Sequence, residues 1–377
     1  MPETVYGIPI LSNGALALAG IGFAAFLLHA RRSEMWVRAW RQVRRSRLAT
    51  VSLGFIGVFV LIGVLDSVSW GDAEYPPGAP PGAPPVMGEP KTILDRLCTP
   101  LRERTEKTYS APLARTLLAK ETVDVEVGGQ VVRRRLRPPL NHPGWHLLGT
   151  DKTGQDVLYG TLKGVRTGLV IGGLTTLLAV PFAIFFGVVA GFFGGWIDDA
   201  VQYVYSTLSC IPRILLIACF MLVFGQGIIQ LCVVMGITSW VGLCRLLRGE
   251  TLKLREKEYV QAALALGVSR FRVIARHVVP NLMHLVLITI VLRFSGGVLA
   301  EAALSYIGVG VGPETYSWGS MINQARAELG RDPIVWWSLA GAFVAMLALV
   351  LPANFFGDAL RDALDPSLRV RGGGQAA

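Results

Sequence analysis

The chain has 377 residues, of which 52% are hydrophobic and 16% charged, against about 25% charged in an ordinary soluble domain. That balance excludes a conventional soluble enzyme and points to a membrane protein. The formal charge of +10, from 36 Lys and Arg against 26 Asp and Glu, then reads as topology rather than as a nucleic-acid surface, because basic residues mark the cytoplasmic loops of membrane proteins. The five cysteines (98, 210, 219, 232 and 244) form no CxxC pair, and all but Cys98 lie in apolar runs. They read as small core residues, not as a disulfide or zinc framework.

Crossing a bilayer takes roughly 20 mostly apolar residues, because lipid offers the backbone no hydrogen-bond partner. Seven stretches qualify, approximately 8–30, 49–69, 165–192, 208–225, 228–247, 281–308 and 334–357. The first follows Glu3 and no basic residue, so it reads as a retained anchor rather than a cleaved signal. Residues 33–48 interleave Met35, Trp36, Trp40 and Val43 with arginines, the pattern of an interfacial helix on the cytoplasmic leaflet. Seven arginines in 31–47 and eight Lys and Arg in 245–276 set both segments in the cytoplasm. Four crossings separate them, so the two assignments agree and leave the N-terminus outside and the C-terminus cytoplasmic. A cytoplasmic loop is expected at 194–205, although it carries Asp198 and Asp199 and no basic residue. Gly225-Gln226-Gly227 reads as a tight turn joining two antiparallel helices.

Almost a hundred residues between the second and third spans form an extracytoplasmic insertion. Residues 75–90 are a Pro/Gly run that favours extended conformations, 94–120 are compatible with helix, and 123–136 alternate around Gly128-Gly129 as a hairpin. No Ser/His/Asp set or metal cluster is legible in 70–145. His142 and His146 have the i,i+4 spacing of a metal pair, but Pro143-Gly144 break the helix that would align them, which favours two loop histidines. Residues 149–156 nearly spell a phosphate loop, yet Gln155 and Asp156 stand where Lys and a hydroxyl are required. A structured turn capping the third span is the better reading, with Asp151 and Asp156 bonding local backbone amides.

Residues 258–280 (EYVQAALALGVSRFRVIARHVVP) have a clear local grammar. Tyr259 to Leu266 is a helical octad in which Ala262, Ala263 and Ala265 allow close approach. Gly267 ends it in a left-handed turn, Ser269 suits an N-cap, and Arg270, Arg272 and Arg276 alternate with Phe271, Val273 and Ile274 in a second short helix that Pro280 stops. The product is an elbow suited to docking on a cytoplasmic partner. Arg293 and Glu301 fall inside the sixth span and Arg213 near the start of the fourth; ionisable groups at that depth face a bundle interior or a watery path. Arg293 and Glu301 are the candidates for the pathway or a subunit interface, with packing the favoured reading for Glu301, and Arg213 is expected to snorkel to the inner surface.

With these residues in view, the chain resembles a known family. Gln261-Ala262-Ala263, Gly267 and Pro280 match the coupling loop of importer-type ABC permeases, whose pattern is Glu-Ala-Ala, three residues, Gly, nine residues, Ile, one residue, Leu-Pro; Gln261, His277 and Val279 replace Glu, Ile and Leu. Gly149-Thr150-Asp151 with Gly154 and Asp156, then 190–199 (AGFFGGWIDD), 301–322 and 357–369, narrow the likeness to the second permease subunit of dipeptide and oligopeptide importers. It runs from about Met35 to Arg369; residues 1–32 have no counterpart.

The resemblance implies an all-α polytopic fold: an importer-type permease core of five helices plus an N-terminal helix, with one extra N-terminal transmembrane helix and the outer insertion. It divides the chain into an anchor (1–32), an interfacial and a transmembrane helix (33–69), the insertion (70–160), the transmembrane domain (161–358, coupling loop 250–280) and a cytoplasmic tail (359–377). It implies a transport subunit of the bacterial inner membrane, neither enzyme nor holder of a cofactor or metal. The implied partners are a second permease, two ATP-binding subunits and an extracytoplasmic binding protein delivering a peptide or similar small solute. Glu258, Tyr259, Gln261, Ala262, Ala263, Gly267, Ser269, Arg270 and Pro280 are the implied ATPase contacts. The alternatives are the same machinery importing a nickel chelate, an antimicrobial peptide or a sugar, or a membrane-anchored enzyme or sensor acting through the insertion.

Overall fold

The computed structural model describes residues 4–5, 8–9, 34–71, 73–74, 86–87, 90–127, 130–312 and 314–364. Residues 10–30 of the expected first span, most of the Pro/Gly run and the Gly128-Gly129 turn lie outside the described residues. Among those described, five helical runs are long and apolar enough to cross a membrane, and a bent pair makes a sixth.

Helix α1 (Glu34–Arg45) is the expected interfacial helix, and α2 (Arg47–Leu65) the span that follows. Ser46 separates them, its Oγ accepting the Ala49 N–H at 3.3 Å as an N-cap. In the insertion, β1 (Ser69–Trp70) pairs antiparallel with β2 (Lys91–Thr92). Helix is confined to α3 (Ile93–Leu97) and α4 (Thr99–Glu103), so most of 94–120 departs from the helical expectation. Its backbone bonds go elsewhere: the Leu118 N–H to the Tyr109 carbonyl and the Leu117 N–H to that of Pro138, around a turn begun at Pro112. The hairpin is formed by β3 (Glu121–Val127) and β4 (Gln130–Leu136), in register Val125 to Val132 and Val127 to Gln130.

Helix α5 (Val157–Phe193) has 37 residues, about 55 Å at 1.5 Å per residue, and begins well before the expected 165. Its first turns carry Thr161, Lys163 and Thr167, which hydropathy excludes from a span; the Thr161 hydroxyl donates to the Val157 carbonyl at 2.7 Å, that of Thr167 to the Tyr316 carbonyl at 2.6 Å, and Lys163 finds the carboxylates described below. The expected cytoplasmic loop at 194–205 is instead α6 (Gly195–Cys210), and the expected span 208–225 is broken. Ile211-Pro212 turn the chain by 84° into α7 (Arg213–Phe224), since Pro212 can only start a helix. Of the two acidic residues that conflicted with the charge rule, Asp198 is neutralised, accepting two bonds from Arg248, Nε at 2.5 Å and Nη2 at 2.6 Å. After the Gly225–Gly227 turn come α8 (Ile228–Ser239) and α9 (Val241–Arg255). The elbow helices α10 (Glu258–Ala265) and α11 (Arg270–Val273) lead through a π-helical turn (Ile274–Val278) into α12 (Val279–Tyr306). Pro280 therefore does not stop the second arm. It occupies the first turn of α12, and the wider turn before it, closed by the Val279 N–H on the Ile274 carbonyl, carries the helix past a residue with no N–H to give. Helices α13 (Trp318–Glu328) and α14 (Trp337–Leu364) complete the fold. Residues 359–364, expected in the tail, continue α14 and bury Leu360, Ala363 and Leu364 against Val43 and Ala49.

The chain divides into two compact units, one built from Gly57–Thr167 and Tyr316–Ala348, the other from Met35–Ile56, Gly168–Thr315 and the helix from Leu349. The core of the second unit joins α5, α9 and the elbow through Ala183, Leu247, Val260, Val273 and Val286. Small residues let the helices approach: a Cβ on Gly191 would lie 2.7 Å from the Arg248 carbonyl oxygen, the close backbone packing that replaces a hydrophobic drive within lipid. Of the cysteines, Cys232 and Cys244 are buried as expected, whereas Cys210 and Cys219 are exposed on their helices.

Candidate functional site

The elbow is fixed at its base and open along its outer face. Val260, Val273 and Val278 are fully buried, pinning both arms to the unit. Gly267, at φ +79°, ends α10 in a Schellman arrangement: its N–H bonds the Leu264 carbonyl at 3.0 Å and the Val268 N–H that of Ala263 at 3.1 Å. Ser269 stands at the N-cap of α11 without a side-chain capping bond. Glu258, Tyr259, Gln261, Ala262, Gly267, Ser269, Arg270 and Pro280 are exposed, and Ala263 is half-buried. Gln261 Nε2 donates to the Arg255 carbonyl at 2.8 Å, so the amide is spent on closing the α9–α10 bend. The Tyr259 ring lies 6.2 Å from that of His277. Two residues outside the expected set are the most exposed apolar groups here: Leu266 is 84% and Phe271 76% exposed. Their signal was legible, since both flank the Gly267 turn where neither helix can cover them. Exposed leucine and phenylalanine beside Arg270, Arg272 and Arg276 make a surface that can bury apolar area while holding a carboxylate rim on a partner.

The second motif builds a turn in the first unit. Asp151 Oδ1 accepts the N–H groups of Thr153 at 2.8 Å and Gln155 at 3.0 Å. Asp156 caps α5, its Oδ1 accepting the Leu158 N–H at 2.7 Å. Thr150 is buried, giving its hydroxyl proton to the Thr108 carbonyl at 2.9 Å while its Oγ1 accepts the Ser110 N–H at 2.7 Å. Gly149 lies against the Ser110 backbone and Gly154 against that of Glu106. The motif also clasps the C-terminal segment: Trp337 Nε1 donates to the Thr150 carbonyl at 2.9 Å, and Tyr316 OH to Gln155 Oε1 at 2.6 Å. Trp318, fully buried, donates to the Thr161 carbonyl at 3.0 Å.

Two polar clusters in this unit were not legible in the sequence. Lys163 Nζ lies 2.6 Å from Asp66 and 3.0 Å from Asp95. His146 Nδ1 faces Asp156 Oδ2 at 2.9 Å, while its Nε2 lies 3.6 Å from Glu106. His146 thus lies in a loop, as expected, but is buried there as the centre of an acidic sandwich. All three side chains are buried, which withholds them from any substrate and marks a fastening rather than a catalytic constellation.

Of the ionisable residues at membrane depth, Glu301 is buried and accepts the Ser305 hydroxyl at 2.7 Å. Arg293 donates to the Ser239 carbonyl and lines an open cavity. Arg213, exposed at the start of α7 after the Pro212 bend, lines the same cavity.

The model of the binding-protein-dependent transport system inner membrane component matches residues 183–370, and that of the N-terminal TM domain of oligopeptide transport permease C matches 34–81. The oligopeptide transport system permease protein OppC of Haemophilus influenzae is 35% identical over 226 residues, covering 60% of this chain and 72% of that one. The OppC of Mycobacterium tuberculosis strain H37Rv is 37% identical over 233 residues, 61% and 79% of the two chains. A solved structure of the methionine ABC transporter MetNI in an inward-facing conformation covers 55% of this chain and 97% of that chain, at 16% identity and TM-score 0.46. The chain belongs to the family of binding-protein-dependent transport-system inner-membrane components, the multi-pass permease subunits of ABC importers.

Proposed function

We propose that the chain is one of two permeases forming the path of a peptide importer, that it docks two ATPases through the elbow and that it receives peptide from an extracytoplasmic binding protein. Relatives named as oligopeptide permeases support the substrate class. The observation that carries the coupling role is the elbow: an exposed apolar and basic surface, fastened beneath by fully buried valines and continuous through the π turn with α12. A push on such a surface is passed as rigid-body motion to the spanning helix, the movement alternating access requires.

Gly267 provides the test. A Cβ there meets nothing within 4 Å, so a large side chain projects outward, where a docked partner would stand. Asparagine tolerates the left-handed conformation, so Gly267→Asn is expected to leave the melting temperature of the isolated chain nearly unchanged. Gly267→Trp is expected to lower substrate-stimulated ATP hydrolysis of the assembled transporter by about tenfold or more. Wild-type hydrolysis in Gly267→Trp would remove the elbow from the coupling route.

The same reading sets the N-terminus and the insertion outside and the C-terminus in the cytoplasm. With the five natural cysteines replaced, Glu3→Cys and Pro100→Cys are expected to react with an impermeant thiol reagent in intact cells. Protection of either one contradicts this topology.

A further inference from the structure

Arg213 opens α7, Arg245 lies in α9 and Arg293 falls midway along α12, and all three line one cavity of about 690 Å³ in the second unit. Its lining contains no Asp or Glu. Among the described residues none of the three arginines pairs with a carboxylate: Arg245 donates to Ser209 Oγ at 3.0 Å and lies 4.8 Å from the centre of the Tyr205 ring, and Arg293 donates to the Ser239 carbonyl. Arg248, one turn beyond Arg245, shows the contrast, its charge being met in full by Asp198. An uncompensated cation at membrane depth, as Arg293 is midway along α12, is costly and marks a solute or ion pathway. Three around one volume repel one another, and an anion relieves both costs at once.

We propose that this cavity binds the anionic end of the transported solute, which for a peptide is its C-terminal carboxylate. The guanidinium fork matches a carboxylate two bonds at a time, and the volume lies within the 300–1,000 Å³ range of small-ligand sites. The arginines come from three helices, α7, α9 and α12, so a bound carboxylate draws together the elements that must rearrange between access states. The assignment deepens the peptide-importer reading and rests on it.

The test uses the complete transporter, with partner permease, ATPases and binding protein, in vesicles of phosphatidylcholine alone. Uptake of trialanine is compared with that of trialaninamide, which lacks the carboxylate. Arg293→Gln and Arg213→Gln are each expected to lower the trialanine-to-trialaninamide rate ratio by about tenfold, with Arg293→Lys losing less. Any preference of the binding protein is common to every variant and cancels. Should Arg293→Gln fail to assemble, Arg213→Gln, whose side chain is exposed, carries the test. Normal uptake with an unchanged ratio in Arg213→Gln overturns the assignment. So does equal loss of both peptides that is reversed by phosphatidylglycerol, which would hand the cavity to a lipid phosphate. So does failure of both variants to assemble, which would hand it to a carboxylate of the partner permease. If the wild-type transporter takes up neither peptide, the importer reading falls first and the carboxylate assignment with it.

Discussion

Lys163→Met is expected to destabilise the chain by about 3–5 kcal/mol, the range for removing one partner of a buried ion pair, read as a fall in melting temperature in detergent. One ammonium here serves two carboxylates, Asp66 at 2.6 Å and Asp95 at 3.0 Å. Both acids have other partners. Thr92 gives its hydroxyl to Asp66 and its N–H to Asp95, and Tyr159 OH donates to Asp95 at 2.7 Å. The two acids respond differently because those partners are unequal. Burial raises the Asp95 pKa, but the Thr92 amide, the Tyr159 hydroxyl and Lys163 outweigh it and hold the group at about 2. For Asp66, burial is the largest influence and Lys163 only partly offsets it, so its pKa is raised. Asp95 thus keeps the negative charge and Asp66 accepts a proton first.

The sign of the pH dependence follows. The depressed Asp95 contributes stability that is present above its unfolded value of 3.8 and lost as pH falls through about 2. The raised Asp66 contributes stability that is present below 3.8 and lost as pH rises through its folded value. Removing the ammonium moves both folded values upward. The deficit of Lys163→Met relative to wild type should therefore grow as pH rises, being larger at pH 8 than near pH 4. An equal deficit at the two pH values would mean that the loss comes from packing of the lysine stem and not from its charge.

How much of this was legible depends on whether the signal is local. The elbow could be read almost to the residue, because a glycine in a left-handed turn and small residues in a helical octad act within a few positions of themselves. What failed there was Pro280: a proline ends a helix only if the helix cannot widen, and a π turn upstream is a response that composition does not announce. The spans were read from hydropathy, which sees the bilayer and not the protein. It started α5 late at 165, since Lys163 looks too polar until Asp66 and Asp95 are found beside it. It took α6 for a loop, since Asp198 looks exposed until Arg248 is found 50 residues on. The acidic sandwich around His146 and the arginine-lined cavity failed for the same reason. Each joins residues far apart in the chain, and pairing across such distances leaves no spacing to read.

The turn at Gly154 carries the other large effect. Gly154 has φ +78°, and a Cβ there would fall 1.7 Å from the Glu106 carbonyl oxygen, while the Glu106 N–H already bonds the Gly154 carbonyl at 2.9 Å. Gly154→Ala must move the Glu106 backbone, and the Glu106 carboxylate accepts the N–H groups of Asn141 at 2.9 Å and His142 at 2.8 Å and lies against His146. The displacement then reaches Asp156, which bonds His146 with one oxygen and caps α5 with the other. Left-handed alanine costs about 1–2 kcal/mol and overpacking about 1–3 more, so the expected loss is about 2–5 kcal/mol. It should appear as a lower melting temperature and a reduced yield of folded chain. Gly144→Ala separates the two causes, because Gly144 has nearly the same φ, +76°, and nothing within 4 Å of its Cβ; it should cost only the conformational part, about 1–2 kcal/mol. If the two substitutions are equally damaging, backbone conformation alone explains the glycine, and the Glu106 contact does not hold the turn against α5.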